Sequence, residues 1–460
     1  MQKLKTDLLI IGAGSGGLSV AAGAAQMGAK VVLLEAGKMG GDCLNSGCVP
    51  SKALLAQAKK ARLGLPISYV DAMQHVRNVI SEIEPMDSQE RFEGFGVKVI
   101  RDFGKFISDR EVEAGGYRIT ARRIVIATGS SPKVPPIEGL GSVDYLTNEN
   151  LWNLRESPKH LLIIGAGHIG MEIAQAHIRL GSKVTVVEMG RALSKDDPEM
   201  TRFVIEQLKS EGVEILEDVG VLSVAKDGDQ ISLKLDDGQI KTGSHLLAAT
   251  GREPNVDGLD LRKAGIELDG PFIKIDDSLK TTNRRVYAIG DVNGRMPFTH
   301  TAGYQAGVVV RSALFGLPAK ASYNHIPYAS YTQPELAHIG LSEAQAREKH
   351  GDRVEVIRFD ISHNDRAITE GHNHGLIKVM VVKKRPVGVT VVGEQAGEVI
   401  SLWSLAIVNK LTMAQVSAMV APYPTYAEIS KRASGAYFIP RLFDNPSVKR
   451  VVRLVQRLLP

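Results

Sequence analysis

Cysteine is scarce in this sequence, since only Cys43 and Cys48 occur among 460 residues. A scaffold held together by several disulfides is therefore excluded, and any disulfide within the chain must join these two residues. A zinc site would need at least two further ligands close by, and the nearest histidine, His75, lies far along the chain.

The sequence also lacks low-complexity segments and a broad excess of one charge. Apolar residues make up 43% and charged residues 23%, which is typical of a folded globular chain of two to four domains. Residues 441–460 contribute +4 of the net charge of +5, so the remainder is nearly neutral. A nucleic-acid-binding face on the body of the protein is not predicted.

One long run, residues 8–29, has no charged residue, but Gly12, Gly14, Gly16 and Gly17 would make it a poor membrane helix. We interpret the run as a buried strand that turns sharply into a helix, rather than a signal peptide. The expected location is cytoplasmic, where structural disulfides are rare. A close cysteine pair there indicates redox or metal chemistry.

Glycine is abundant, and its clusters form two copies of one pattern. Residues 6–11 predict a buried strand, Gly12, Gly14 and Gly17 follow, and a helix then leads to a second strand ending at Glu35. The same order recurs 153 residues later, with a strand at 160–164 and a second strand ending at Glu188. The glycines of this second copy are Gly165, Gly167 and Gly170.

Each copy predicts a site for a dinucleotide. The first glycine permits a tight turn, the second lets the backbone approach a pyrophosphate, and the third allows close packing of helix on strand. Glu35 and Glu188 are expected to accept hydrogen bonds from ribose hydroxyls. Because Glu188 would repel a 2′-phosphate, NADH is favoured over NADPH, although Arg191 nearby leaves NADPH open.

The two cysteines lie five positions apart in the segment Gly40–Lys52. They can come within bonding range if the helix between them is distorted, and Gly47 and Pro50 favour such a distortion. A redox-active pair is therefore predicted, and buried inert cysteines are the alternative.

The sequence resembles the class I pyridine nucleotide–disulfide oxidoreductases, the family of dihydrolipoamide dehydrogenase, glutathione reductase and mercuric reductase. The resemblance covers nearly the whole chain. It rests on both glycine patterns, the CLNSGCVPSK segment, residues 127–129, 249–251 and 287–291, and Pro424, Thr425 and Glu428.

This resemblance implies roles for individual residues. Cys48 would lie next to the flavin, Cys43 would meet the substrate, and Lys52 would lie beside the flavin N5 and pair with Glu172. FAD would be bound by the first glycine pattern with Glu35 and with Gly41, Lys52, Thr128, Gly129, Asp291, His300 and Ala302. The nicotinamide dinucleotide would be bound by the second pattern with Glu188 and Gly251.

The sequence departs from the family pattern at Tyr423. Members that act on dithiols have a histidine here, oriented by a glutamate that corresponds to Glu428. A phenol with a pKa of about 10 is a poor general base at neutral pH compared with an imidazole at about 6.5. Mercuric reductases tend to have tyrosine here, but they add a vicinal cysteine pair near the C-terminus, and this sequence has none.

The expected fold class is α/β, with two Rossmann-like dinucleotide-binding domains and a C-terminal α+β dimerisation domain. We predict an FAD domain at 1–150 and 280–325, an NAD(P) domain at 151–279, a dimerisation domain at 326–440 and a basic tail at 441–460. The resemblance implies a homodimer in which Tyr423 and Glu428 of one subunit lie over the flavin of the other.

The tail predicts an amphipathic helix with apolar residues on one face and basic residues opposite. Two interpretations stay open for residues 445–460. The helix packs on its own dimer, or it docks on a membrane surface, at the inner face of the membrane, or on a protein partner.

The leading functional hypothesis is an FAD-dependent NAD(P)H oxidoreductase that passes electrons through Cys43 and Cys48 to a disulfide or metal-ion acceptor. One alternative is a true dihydrolipoamide dehydrogenase or mercuric reductase. A second is a redox-responsive protein that binds a partner or membrane through its tail.

Overall fold

The computed structural model describes residues 1–459. These residues form two compact units, one of residues 1–190 and 213–322 and the other of residues 191–212 and 323–459. The first unit holds both glycine patterns and both cysteines, and the second holds Tyr423 and the C-terminal tail.

The strands β1 to β18 belong to the first unit and β19 to β23 to the second. In chain order they are β1 Gln2–Ile11, β2 Val31–Leu34, β3 Lys98–Ile100, β4 Lys105–Phe106, β5 Glu111–Ala114, β6 Tyr117–Ile126, β7 Ser130–Pro132, β8 His160–Ile164, β9 Lys183–Val187, β10 Glu214–Leu216, β11 Val221–Asp227, β12 Gln230–Leu235, β13 Ile240–Gly243, β14 His245–Ala248, β15 Arg252–Pro254, β16 Leu268–Asp269, β17 Phe272–Ile273, β18 Val286–Ala288, β19 Pro327–Ser330, β20 Glu335–Gly340, β21 Glu355–Asp360, β22 Leu376–Val382 and β23 Arg385–Gly393.

The helices α1 to α6 and α8 belong to the first unit, and α7 and α9 to α15 belong to the second. In chain order they are α1 Ser15–Gln26, α2 Gly41–Asn45, α3 Cys48–Arg62, α4 Tyr69–Asp87, α5 Gln89–Gly94, α6 His168–Arg179, α7 Pro198–Ser210, α8 Thr299–Phe315, α9 Glu343–His350, α10 Asp365–Thr369, α11 Ala396–Val408, α12 Met413–Ser417, α13 Glu428–Ala436, α14 Ile439–Leu442 and α15 Pro446–Leu458.

The first sheet is mainly parallel, with β3, β2, β1 and β6 side by side and β18 also parallel to β6. Residues Leu8 to Ile11 of β1 are at most 4% exposed, because apolar side chains cover both faces of this central strand. In such a sheet, ligands bind beyond the carboxyl ends of the strands, at the point where the strand order reverses. That point is the end of β1.

A second parallel sheet, in the order β10, β9, β8 and β14, repeats this arrangement. The apolar run at 160–164 forms β8 as predicted, and α6 follows the second glycine pattern as α1 follows the first. A separate antiparallel sheet of β11, β12 and β13 packs its apolar face in the same cluster as β8 and β14.

The second unit contains a five-stranded antiparallel sheet in the order β19, β20, β23, β22 and β21. Its core surrounds Trp403, whose indole N–H donates to Ser430 at 3.1 Å. Lys378 of β22 is 3% exposed and pairs with Asp197 at 2.6 Å, so residues 191–212 pack in this unit. The predicted α/β class with a C-terminal α+β domain is confirmed, while the exact domain boundaries stay a prediction.

The tail forms helix α15, which Asn445 caps by accepting from the N–H of Ser447 at 2.9 Å. Pro446 occupies the first turn, where its missing N–H is tolerated. Among residues 1–459, no helix is long and apolar enough to cross a membrane.

Candidate active site

Two positions around the turn between β1 and α1 have space only for glycine. Gly12 has a φ of +105°, and a Cβ there would lie 2.4 Å from the carbonyl oxygen of Ala127. A Cβ on Gly17 would lie 1.9 Å from the carbonyl oxygen of Gly12. The N-cap of α1 is Gly14, which has no side chain to satisfy the first amide groups of the helix. These amide groups are left for an anion such as a pyrophosphate.

Glu35, at the end of β2, closes the same loop. One carboxylate oxygen accepts from the N–H of Ala13 at 2.6 Å, and the other accepts from the N–H of Gly37 at 2.6 Å. Each carboxylate oxygen has a further lone pair, so Glu35 is able to accept from a ribose hydroxyl as well.

The second glycine loop repeats the first in its contacts. A Cβ on Gly170 would lie 2.0 Å from the carbonyl oxygen of Gly165. Glu188 accepts from the N–H of Ala166 at 2.8 Å and from that of Gly190 at 3.1 Å. The repeat of 153 residues in the sequence is therefore a repeat of the same hydrogen bonds in space.

The surroundings of the second loop are more open. Gly167 caps α6, and a Cβ there would meet no atom within 4 Å. Gly251 has a φ of +119° and accepts from the N–H of Lys133 at 3.0 Å. The first glycine loop is crowded by contrast, because Gly41 of α2 lies against it. A Cβ on Gly41 would be 2.7 Å from Cα of Gly14. The cysteine segment therefore begins directly beside the first glycine loop.

The cysteines occupy two helices that are separated by a break. Cys43 lies in α2, which ends at Asn45, and Cys48 is the first residue of α3. The break forms because the N–H groups of Ser46 and Gly47 both donate to the carbonyl oxygen of Asp42, at 2.8 and 2.7 Å. This is the distortion that a disulfide between the cysteines requires. Both cysteines are free thiols in the structure.

The two thiols have opposite acidities. The pKa of Cys48 is lowered to about 6, mainly because Cys43 donates a hydrogen bond to its sulfur and also because of the charge on Lys52. The same hydrogen bond, together with burial, raises the pKa of Cys43. At neutral pH the pair therefore holds one negative charge, located on Cys48.

Lys52 is held beside the pair by Glu172. Its Nζ donates to Glu172 at 2.8 Å, and the Glu172 side chain is 5% exposed. The carboxylate opposes the stabilisation of the Cys48 thiolate, but the ammonium group has the larger effect on the pKa. The predicted pairing of Lys52 with Glu172 is present, one turn along α3 from Cys48.

Helix α8 begins at the same thiolate. The hydroxyl of Thr299, the first residue of α8, lies 3.7 Å from the sulfur of Cys48 and lowers its pKa. The partial positive charge at a helix N-terminus also favours a thiolate. His300 stacks on Phe298, with ring centroids 5.5 Å apart, and Ala302 packs beside Gly16 of α1. His300 and Ala302 therefore lie in the helix that adjoins both Cys48 and the first glycine loop.

Asp42 anchors the loop between the cysteines through residues that the sequence analysis missed. It pairs with Arg252 at 3.1 Å and accepts from the side-chain amide of Asn148 at 3.0 Å. The indole N–H of Trp152 donates to the carbonyl oxygen of Ser46 at 2.9 Å. Arg252 directly follows a predicted ligand, Gly251, which is the one signal in the sequence that points to it.

Arg252 also reaches the carboxylate predicted to bind the flavin. Its Nε lies 3.9 Å from Asp291, which accepts from the hydroxyl of Ser130 at 2.6 Å. Asp291 and Asp42 are therefore linked through the guanidinium group of Arg252.

Thr128 and Gly129 follow the end of β6, and both hydrogen-bond with the backbone of Asn255, at 2.7 and 3.0 Å.

Tyr423 occupies a different environment in the second unit. It is 70% exposed, and its hydroxyl donates to Asp365 at 2.8 Å. This hydrogen bond and the negative charge of Asp365 raise the pKa of Tyr423. Glu428 accepts from Arg432 at 3.1 Å through one oxygen, while its other oxygen is buried without a hydrogen-bond partner.

The sequence matches the family described as pyridine nucleotide-disulphide oxidoreductase over residues 6–306, and the dimerisation domain of that family over residues 326–434. The chain belongs to the pyridine nucleotide-disulphide oxidoreductase family. This confirms the predicted enzyme class, which uses FAD with a pyridine nucleotide, and the dimerisation domain supports the predicted homodimer.

Relatives within the family differ in their reactions. A mercuric reductase of Bacillus cereus is 35% identical over 93% of this chain and 70% of its own length. A dihydrolipoyl dehydrogenase of Thermus scotoductus is 34% identical over 92% of this chain and 95% of its own length.

Among solved structures, the Cu(II) complex of the HOCl-induced flavoprotein disulfide reductase RclA from Escherichia coli is similar. Its TM-score is 0.86 at 26% identity, over 94% of this chain and 99% of that one. Proteins that resemble this chain over most of its length thus include a mercuric reductase, a dihydrolipoyl dehydrogenase and a flavoprotein disulfide reductase.

The first unit brings together most of the residues predicted from the sequence. Cys48 lies at the start of helix α8 with Cys43 as its hydrogen-bond partner, Lys52 of α3 pairs with Glu172 of α6, and Gly41 of the cysteine segment adjoins the first glycine loop. Their catalytic and ligand roles stay predictions.

Proposed function

We propose that the protein is an NADH oxidoreductase in which FAD and the Cys43–Cys48 pair pass two electrons to a disulfide or metal-ion acceptor. The observation that carries this proposal is the placement of the two cysteines on either side of a helix break, with Thr299 3.7 Å from the sulfur of Cys48 and the Lys52–Glu172 pair one turn along α3. The thiolate belongs to Cys48, beside Lys52 and Thr299, and the protonated thiol belongs to Cys43. A pair of this kind holds one thiolate ready at neutral pH.

The residues of the first unit fit FAD. The glycine loop before α1 offers unpaired amide groups to a pyrophosphate, and Glu35 offers acceptors to a ribose. Asp291 offers a carboxylate for the ribityl chain at the carboxyl end of the sheet, as the family resemblance implies. When bound, FAD supplies the two-electron exchange between the nicotinamide and the cysteine disulfide.

The second glycine loop supports NADH as the electron donor. The carboxylate of Glu188 is held between two backbone N–H groups at the place where the adenosine ribose would lie. A 2′-phosphate there would be repelled by this carboxylate. We therefore propose NADH as the preferred dinucleotide.

Reduction of the Cys43–Cys48 disulfide by the hydride of NADH gives NAD⁺, a thiol on Cys43 and a thiolate on Cys48, and it takes up no further proton. The thiol and thiolate then return two electrons to the acceptor, the sulfur–sulfur bond re-forms, and the one proton of Cys43 is released. A disulfide acceptor takes up this proton and a second one from solvent and becomes two thiols, whereas a metal ion takes only the electrons.

Tyr423 favours acceptors that need no general base. Its pKa is raised by Asp365, so its phenol stays protonated across the physiological range. A metal ion needs electrons and thiolate ligands but no proton relay. The similarity to a mercuric reductase and to a reductase solved as a Cu(II) complex supports a metal-ion acceptor.

A second candidate is dihydrolipoamide oxidation with Glu428 as the proton carrier. The observation that favours it is the buried oxygen of Glu428, which has no hydrogen-bond partner among the described residues. In the homodimer, Glu428 and Tyr423 of one subunit would face the cysteine pair of the other, as in the family.

An anaerobic titration of the holoenzyme with NADH, followed by an acceptor screen, tests both candidates. We expect uptake of two reducing equivalents beyond the flavin's own two, and re-oxidation by Hg(II), Cu(II) or a disulfide. Rapid turnover of dihydrolipoamide by the wild-type enzyme would favour the second candidate. Uptake by the flavin alone would show that the cysteines are not redox-active.

A further inference from the structure

Helix α15 presents a wide apolar face to solvent. Along its 13 residues and the next position, the apolar residues fall on one side of the helix. The exposed members of this face are Val451 at 60%, Val452 at 52%, Leu454 at 56%, Val455 at 39%, Leu458 at 70% and Leu459 at 65%. Isolated exposed apolar residues are ordinary, but a continuous helical face of them needs a covering partner.

The segment before α15 also exposes apolar side chains. Ile439 and Leu442 of α14 are 50% and 46% exposed, and Phe443 is 66% exposed. An exposed aromatic ring beside an amphipathic helix is typical of segments that insert into the boundary between lipid headgroups and acyl chains.

The opposite face of α15 carries only positive charge. Lys449, Arg450, Arg453 and Arg457 project from it, and the helix contains no acidic residue. Within residues 1–459, none of these four side chains forms an ion pair. The four cations therefore have no counter-charge in the described part of the chain.

This charge pattern favours an anionic surface over a second copy of the helix. If two copies of α15 packed through their apolar faces, the basic residues of both helices would lie along the two edges of that interface and repel each other. The remainder of the chain has a net charge of only about +1, so it supplies no large acidic excess to offset them. Anionic headgroups neutralise all four cations at once while the apolar face is buried in the same surface.

We propose that α15 binds to an anionic lipid bilayer, with its axis in the plane of the surface. The helix is about 20 Å long, its apolar face lies at the headgroup–acyl boundary and its cations contact lipid phosphates. A helix this short is marginal in water by itself, so the surface also stabilises its helical state. The homodimer carries two such helices, and their joint binding strengthens attachment.

The test uses the full-length holoenzyme dimer with sedimented vesicles. We expect binding to vesicles of phosphatidylcholine with phosphatidylglycerol, and little binding to phosphatidylcholine alone. The double variant Arg450→Gln/Arg453→Gln should bind roughly 30-fold more weakly, since each cation near an anionic surface contributes about five-fold. A second double variant, Val451→Gln/Val455→Gln, should lose binding through its apolar face.

The matched control, Lys349→Gln/Arg385→Gln, removes two exposed cations elsewhere in the second unit and should bind as the wild type does. Unchanged flavin content and unchanged reduction by NADH show that each variant is folded. The proposal is overturned if the wild type binds vesicles with phosphatidylglycerol no better than vesicles of phosphatidylcholine alone. It is likewise overturned if the control and the Arg450/Arg453 variant bind the anionic vesicles equally. It is also overturned if the Val451/Val455 variant dissociates the dimer in light scattering, which would assign α15 to the subunit interface.

Discussion

Cys48 and Tyr423 lie in regions with opposite electrostatics. Around Cys48, a hydrogen-bond donor, a cation and a hydroxyl at a helix N-terminus lower the pKa of the thiol to about 6. Around Tyr423, a carboxylate accepts the phenolic hydrogen bond and raises the pKa of the phenol. The first region stabilises a negative charge at neutral pH, and the second keeps its group protonated.

This difference in electrostatics corresponds to the two halves of the proposed reaction, which are reduction of the cysteine pair and electron transfer to the acceptor. The cysteine region stabilises the thiolate that results when the disulfide is reduced. In the Tyr423 region the phenol stays protonated at neutral pH, so it does not remove a proton from a dithiol. We infer that selectivity for the acceptor is decided in the second region, while the reduction of the cysteine pair is common to the family.

The largest effect is expected from Cys48→Ser. Without the Cys48 thiolate the disulfide cannot form, so reduction of every thiol-dependent acceptor should fall by at least about three orders of magnitude. Reduction of the bound flavin by NADH should continue, because the second glycine loop is untouched. Stopped-flow absorbance measures both quantities in one preparation.

Cys43→Ser is the matched control for this prediction. It also removes acceptor reduction, but it keeps the Cys48 thiolate and its long-wavelength absorbance beside an oxidised flavin. If Cys48→Ser retained that absorbance and Cys43→Ser lost it, the assignment of the thiolate to Cys48 would be wrong.

The second effect in size is expected from Tyr423→His. An imidazole restores a base with a pKa near neutrality, so oxidation of dihydrolipoamide should rise by about 100-fold, with unchanged flavin reduction by NADH. Steady-state rates with dihydrolipoamide and with a metal ion measure the change in selectivity.

Tyr423→Phe serves as the control, because it removes the hydroxyl without adding a base. Its metal-ion reduction should match that of the wild type. A wild-type enzyme that already oxidises dihydrolipoamide at the rate of the Tyr423→His variant would contradict the argument from the missing imidazole.

Local features of the fold were predictable from the sequence. The apolar runs and glycines at 6–17 and 160–170 specify strand, turn and helix through neighbouring residues, and the structure has these elements at those places. The equal spacing of Glu35 and Glu188 from their loops becomes the same pair of backbone hydrogen bonds. The Lys52–Glu172 pair was predicted only through family resemblance.

Contacts between distant segments were not predictable in this way. Thr299 meets Cys48 across 251 positions, and Arg252 meets Asp42 because of the order of strands and loops around the site. The hydrogen bond of Tyr423 to Asp365 joins a loop residue to the first residue of α10, 58 positions away. Apart from the position of Arg252 directly after Gly251, nothing local in the sequence marks these partners. Thr299 contributes to the lowered pKa of Cys48, and Asp365 raises the pKa of Tyr423, so two of these distant contacts affect the acidity of the central groups.

A smaller effect is expected from removing the Lys52–Glu172 ion pair beside Cys48. Replacing Lys52 alone would remove the ion pair of the buried Glu172 carboxylate, which destabilises the fold. The double variant Lys52→Met/Glu172→Gln avoids this, and it should raise the pKa of Cys48 because the effect of Lys52 exceeds that of Glu172. We expect a rise of about one unit, measured by ultraviolet absorbance of the thiolate against pH.

Glu172→Gln alone is the control, and it should lower the pKa of Cys48, since it removes only the opposing carboxylate. An unchanged pKa in both variants would show that the hydrogen bond from Cys43 alone stabilises the thiolate.

The smallest effect is expected from Asp365→Asn in the second region. This change removes the negative charge that opposes ionisation of Tyr423, so the pKa of the phenol should fall towards its ordinary value. Tyr423 is 70% exposed and water screens the charge, so the fall in its pKa should be well under the shift at Cys48. Ultraviolet titration of the phenolate, with the Tyr423→Phe spectrum subtracted, isolates this group.

Because the phenol of Asp365→Asn still ionises far above neutral pH, dihydrolipoamide oxidation should not change. A marked gain in that activity would mean that the Tyr423–Asp365 hydrogen bond, rather than the absence of an imidazole, limits turnover.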